Sequence, residues 1–84
     1  MDATTTDLLT FESLGKVLPN GATIMAISAR NAHEWVILAR VDHSARDSEY
    51  VTWKCSRPGN GSDTRWGHYF EEYDEAYSDY KERA

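Results

Sequence analysis

The chain has 84 residues with a formal net charge of −5, a length that suits one domain spanning residues 1–84. Its three tryptophans, five tyrosines and two phenylalanines exclude a disordered acidic tail, and its shortage of Lys and Arg disfavours a duplex-DNA binder. The single cysteine, Cys55, excludes an internal disulfide, and no stretch reads as a signal peptide or a membrane span, so we expect a cytoplasmic protein.

The first elements in chain order are a short helix and a turn. Asp7 can cap a helix over residues 7–14, and Gly15 can end it. A helix of two turns is marginal alone, so it must dock on the rest of the domain. The sequence Pro19-Asn20-Gly21 then predicts a tight turn.

Four extended stretches follow, and their short connections predict antiparallel pairing in chain order. The stretches are residues 22–29, 34–42, 49–56 and 65–70, joined by loops at 30–33, 43–48 and 57–64. The second stretch is apolar without clean alternation, which is typical of a central strand covered on both faces for part of its length.

The alternation of apolar residues predicts a register for the last two strands. The two apolar sets are Val51, Trp53 and Cys55 in one strand and Trp66, His68 and Phe70 in the other. If both sets face the core, Trp53 pairs with His68 and Val51 pairs with Phe70. Cys55 and His68 then share a face.

The sequence pattern predicts a final helix over residues 71–83. Tyr73, Ala76, Tyr77 and Tyr80 recur at helical spacing and form an apolar stripe. The predicted fold class is α+β: a four-stranded antiparallel β-meander with a C-terminal amphipathic helix on one face and a short N-terminal helix. We expect the tyrosine stripe to meet the Trp53, Trp66 and Phe70 side of the sheet.

The acidity of the chain is concentrated in this last helix, since residues 66–84 hold six acidic and two basic side chains. A negative stripe predicts a protein partner with a basic surface, and such a stripe can imitate the phosphates of a nucleic acid. The predicted partner-binding residues are Glu71, Glu72, Glu75, Asp79 and Glu82, together with the adjoining loop 57–64. The helix dipole favours acids in the first turns, so only Asp79 and Glu82 lie outside the ordinary explanation.

An alternative hypothesis is a single-stranded nucleic-acid binder that uses an exposed sheet face. Basic and aromatic side chains interleaved on a sheet can contact phosphates and stack on bases. The residues for this alternative are Arg40, Lys54, Arg65, Tyr50 and Tyr69. The open edges of the sheet also allow a homodimer.

A third hypothesis is an enzyme that uses Cys55 with His68. A cysteine beside a core-facing tryptophan is more typical of an inert apolar residue. No pair of His or Cys residues has the spacing of a zinc site, and no phosphate-binding loop is present. The sequence therefore predicts no catalytic residues, no metal and no cofactor.

The second half of the chain has a hairpin with YVTW at residues 50–53 and WGHYF at residues 66–70, followed by a helix with Ala76 and Arg83. In these features it resembles a group of small uncharacterised proteins of actinobacterial phages and mobile elements. The resemblance covers residues 49–83. It implies a small accessory protein in a bacterial host that binds and modulates a host protein, for example by inhibiting a defence system.

Overall fold

The computed structural model describes residues 14–18, 21–43, 46–57 and 63–84, and they form a four-stranded antiparallel sheet with a C-terminal helix. The elements are β1 (Thr23–Ala29), β2 (Glu34–His43), β3 (Arg46–Ser56), β4 (Arg65–Phe70) and α1 (Tyr73–Arg83). The strands lie in the order β1-β2-β3-β4. The α+β class is therefore confirmed, whereas the helix predicted over residues 7–14 lies outside the described residues except for its last position.

The outer edge of β1 is partly covered by the segment 14–18. Gly15 donates its backbone N–H to the carbonyl of Ile24 at 2.8 Å, and Ile24 donates to the carbonyl of Lys16 at 2.9 Å. In the described part of the chain β4 forms the other edge of the sheet.

Both faces of the sheet are buried around β2. Five consecutive residues, 35–39, are buried, which confirms the two-sided covering predicted from the missing alternation. One face, here called the tryptophan face, has a core of Trp35, Ile37, Ala39, Val51, Trp53 and Cys55 with Leu18 packed on it. The other, here called the helix face, carries Val36, Leu38, Ala26, Tyr50 and Phe70.

Helix α1 packs on the helix face, so the prediction that it meets the Trp53 side is wrong. Ala76 and Tyr80 of the helix form one cluster with Val36, Leu38 and the partly buried Tyr50. Both faces of β2 and β3 offer apolar surface, and alternation along one strand cannot tell which face the helix covers.

The register of β3 with β4 also differs from the predicted one. Thr52 lies opposite His68 and Val51 opposite Tyr69, one residue away from the predicted pairing of Trp53 with His68. The pairing shifts again between Thr52 and Lys54, where Trp66 takes a left-handed backbone conformation with φ 57°. Trp66 is therefore the extra residue of a β-bulge, and bulges cannot be read from alternation.

The tyrosine stripe of α1 is core at its C-terminal end and half-exposed at the other. Tyr80 is buried, and its hydroxyl hydrogen-bonds with Ser28 Oγ on β1. Tyr77 stacks on Tyr80 and on Tyr73, whose ring meets the edge of Tyr50 with 5.6 Å between centroids. The stripe seats the helix on the sheet, although on the face opposite to the one predicted.

Candidate functional site

A polar cluster lies between α1 and the sheet, centred on the buried side chain of Thr52. Thr52 Oγ1 donates a hydrogen bond to Asp79 Oδ2 at 2.5 Å. Arg83 Nη1 donates to Thr52 Oγ1 at 2.9 Å and to the Thr52 carbonyl at 3.2 Å. The threonine hydroxyl thus both donates and accepts, which satisfies a polar group that has no access to water.

Two further contacts connect this cluster to β4. His68 Nδ1 lies 3.0 Å from Asp79 Oδ2, and Arg83 Nη2 donates to the Trp66 carbonyl at 2.6 Å. Arg83 also lies 3.8 Å from the Asp79 carboxylate, four residues earlier on the helix. The last turns of α1 are therefore held to both β3 and β4 by charge-assisted hydrogen bonds.

The environment of Asp79 favours its ionised form. Burial acts to raise the pKa of the carboxyl, but the hydrogen bonds from Thr52 and His68 and the charges of His68 and Arg83 outweigh burial, so the pKa is lowered. Asp79 is a predicted partner-binding residue, and these contacts give it a structural role as well. The position of Asp79 on the helix is therefore explained without a binding partner.

The other four predicted partner-binding residues, Glu71, Glu72, Glu75 and Glu82, are exposed and are here called the acidic face. Within the described residues none of the four forms an ion pair. Other acids do, since Glu34 lies 3.0 Å from both Arg30 and Arg65. Glu75 and Glu82 also line a shallow groove of about 430 Å³ that has Phe70 on its wall. Loop 57–64, predicted to adjoin the contact surface, is described only at its ends.

The five residues of the nucleic-acid alternative do not share one open face. Tyr50 packs under α1 in the helix-face cluster, and Tyr69 lies on the tryptophan face, where its ring meets the edge of Trp53. Arg40 and Lys54 pair with Tyr50 and Val36 on the helix face, and Arg65 is engaged by Glu34 and Asp63. The nucleic-acid alternative assumed one exposed face, whereas α1 packs on Tyr50 and Tyr69 lies on the opposite face.

Cys55 and His68 lie on opposite faces of the sheet, so the expectation that they share a face is wrong. Cys55 belongs to the core of the tryptophan face, whereas His68 contacts Asp79 beneath the helix. Burial raises the pKa of the Cys55 thiol to about 12, which removes the thiolate that nucleophilic chemistry requires. The residues that the structure describes hold no cluster of three or more His, Cys, Asp and Glu side chains suited to a metal ion.

The exposure of Trp66 on β4 was missed by the sequence reasoning, which placed Trp66 in the core. The Trp66 side chain is 70% exposed and that of Tyr69 is 59% exposed. Beside them an open groove of about 490 Å³ is lined by Val41, Trp53, Gly67 and Tyr69 among others. Gly67 was the available signal, since a glycine inside a strand often marks a bulge or a close backbone approach.

The comparisons with known proteins add no family to this picture. No protein-family model, curated protein or solved structure matches the chain. In the described ranges no helix is long and apolar enough to cross a membrane. The features of the molecule that bear on function are therefore the acidic face of α1 and the exposed aromatic side chains of β4.

Proposed function

We propose that the protein is a small non-enzymatic binding module that docks the acidic face of α1 on a basic surface of a protein partner. The observation that carries the proposal is the contrast between paired and unpaired acids. Glu34, Asp63 and Asp79 are each neutralised by a basic side chain. Among the described residues the four glutamates of the acidic face have no such partner, which leaves their charge available to another molecule.

The C-terminal half of α1 supplies a rigid support for this face. Asp79 and Arg83 hold the helix to Thr52 of β3, and Tyr80 is buried against the sheet. Glu75 and Glu82 project from the same helix. A charged surface on a rigid element loses little conformational entropy on binding, and complementary charge accelerates the encounter.

The partner that fits best is a nucleic-acid-handling protein, because its basic surface has evolved to meet a row of phosphates. Glu75 and Glu82 are seven residues apart, which is about 10 Å along a helix axis. That distance corresponds to roughly three nucleotide steps along one strand of DNA. The resemblance to small phage and mobile-element proteins supports a role as an accessory factor that modulates, and can inhibit, such a host protein.

The test is an affinity pull-down from a bacterial lysate, followed by affinity measurements on the purified partner. We expect Glu75→Lys and Glu82→Lys each to weaken binding and to reduce its dependence on salt concentration. Asp79 is left intact in this set because its reversal would perturb the fold. Thermal unfolding of each variant establishes that the domain is unchanged.

The matched control is Asp42→Lys, which changes the net charge by the same amount at the end of β2. Asp42 is exposed, lies 3.2 Å from Arg40 and is not part of the acidic face. If Asp42→Lys and Glu75→Lys weakened binding equally, the effect would come from net charge alone. The acidic face would then no longer be supported as the contact surface. Unchanged affinity in both glutamate variants would have the same consequence.

A further inference from the structure

The centre of the tryptophan face is fully buried, although few described residues stand above it. Ile37, Ala39 and Val51 have no exposed surface there. On the helix face α1 produces such burial, but on the tryptophan face the described residues outside the strands that join the core are Leu18 and Ala22. A sheet face needs a second layer to keep water from its side chains, so another part of the chain must cover this one.

Leu18 lies too far to one side to provide that layer. Its segment, residues 14–18, runs beside β1 and is hydrogen-bonded to it at Ile24. Ile24 lies opposite Ala39, and Ala39 lies opposite Val51, so these three form a row across the sheet. Neighbouring strands are about 4.8 Å apart, which puts Val51 three spacings, or about 14 Å, from the segment that carries Leu18.

The stretches between the described ranges are too short to cover the centre of the face. Residues 19–20 and 44–45 are only two residues each. Residues 58–62 begin beyond Ser56, and Val51 lies five residues, or about 17 Å, back along β3. A stretch that leaves Arg57 and returns at residue 63 extends at most about 10 Å from the end of the sheet. Residues 1–13 are the remaining part of the chain.

We propose that residues 7–13 form a short helix that packs across the tryptophan face from β1 to β3, with Leu8 and Phe11 against Ile37 and Val51. Leu8 and Phe11 are three residues apart, so a helix places them on the same side. Seven helical residues span about 10 Å, which matches the two strand spacings between β1 and β3.

The described residues next to this segment support the arrangement. Gly15 has a φ of 84°, in the left-handed region that is typical of the residue just after a helix. Its N–H donates to the carbonyl of Ile24 at 2.8 Å, so the preceding residues start beside the first member of the buried row. Leu14 is 54% exposed, which limits the packed part of the segment to residues before it.

The exposure of Tyr69 marks where the covering layer ends. Tyr69 lies opposite Val51 and continues the row onto β4, but it is 59% exposed. The segment therefore covers β1, β2 and β3 and leaves β4 open. The sheet then lies between two helices, and its tryptophan face is occupied by the chain itself. The acidic face of α1 and the edge of β4 stay free for a partner.

Nuclear Overhauser contacts in the wild-type full chain test which face is covered. We expect the ring protons of Phe11 to show contacts with the methyl groups of Ile37 and Val51. The matched comparison is with the methyl groups of Val36 and Leu38, which lie on the helix face. Contacts of Phe11 with the helix-face methyl groups, or with neither set, would overturn the proposal.

Urea unfolding of two variants in the same segment tests the energetics. We expect Phe11→Ala to raise the unfolding equilibrium constant at least about thirtyfold, since it removes a buried aromatic side chain. Leu14→Ala is the control, because Leu14 is exposed, and we expect it to change that constant less than about threefold. A Phe11→Ala chain that does not fold at all would agree with the proposal, whereas equal effects of the two substitutions would contradict it.

Discussion

Replacing Asp79 by asparagine removes one charge from the polar cluster while preserving the shape of the side chain. The carboxylate accepts from Thr52 Oγ1 at 2.5 Å and from His68 Nδ1 at 3.0 Å, and it lies 3.8 Å from Arg83. Both hydrogen bonds end on Oδ2, so an amide oxygen in that place keeps them only as weaker, uncharged bonds, and the amide N–H₂ group takes the place of Oδ1, 3.2 Å from His68 Nδ1. Arg83, whose side chain is only 10% exposed, loses its counter-charge.

The structure sets the expected loss of stability at about 2 kcal/mol. A hydrogen bond to a charged group contributes about 1.5–3 kcal/mol and a neutral one about 0.5–1.5 kcal/mol, so loss of the charge weakens each of the two bonds by roughly 1 kcal/mol. The ion pair with Arg83 adds up to about 1 kcal/mol, discounted because Asp79 is partly open to solvent. For a domain of this size such a loss lowers the melting temperature by roughly 8–16 °C.

Urea unfolding followed by tryptophan fluorescence measures this loss, with Glu75→Gln as the matched control. Glu75 is an exposed acid four residues earlier on α1, so its neutralisation changes stability by less than about 0.5 kcal/mol. The folded state lowers the pKa of Asp79, so the stabilisation is fully present above the unfolded-state pKa of about 3.9 and is lost as the pH falls through the lower folded-state pKa. Equal losses in the two variants, or a difference that persists unchanged in strong acid, would refute the reasoning.

Two further predictions concern the tryptophan face. Gly67→Ala places a Cβ 2.7 Å from Trp53 Nε1 and 3.0 Å from Trp53 Cδ1, so we expect a loss of about 1–3 kcal/mol in urea unfolding, with the exposed Ser78→Ala as control. An unchanged unfolding midpoint for Gly67→Ala would show that the indole ring moves freely. Burial and a pKa of about 12 predict that Cys55 resists a thiol reagent at pH 8 in the folded protein and reacts rapidly in urea. Equal reaction rates in the two conditions would contradict this account of the core.

Local patterns predicted the elements of this fold well. The strands, the hairpin turn at residues 30–33 and the final helix all lie within a few residues of their predicted bounds. The two-sided burial of residues 35–39 was also predictable, because continuous apolar character needs cover on both faces. The acids at the start of α1 and the basic residues Lys81 and Arg83 at its end follow from the helix dipole.

The packing of these elements against one another was harder to predict from the sequence. The strand pairing changes at the bulge at Trp66, and His68, Tyr69 and Phe70 lie on the faces opposite to the predicted ones. The contacts that seat the helix are polar, from Asp79 and Arg83 to Thr52, and hydrophobic periodicity carries no information about them. The exposure of Trp66 was also not predictable, because its residue type alone predicted a core position.

The anchoring of α1 is unequal along its length, and this sets the order in which the helix opens. Its last turns are tied to three strands through Tyr80, Asp79 and Arg83. Its first turn has Glu72 as N-cap without a side-chain capping bond, and the nearby Tyr73 is half-exposed. Local unfolding therefore begins at the N-terminal end, where much of the acidic face lies. A basic partner that contacts Glu72 and Glu75 would restrain this less firmly held turn, whereas Glu82 already lies on the anchored part of the helix.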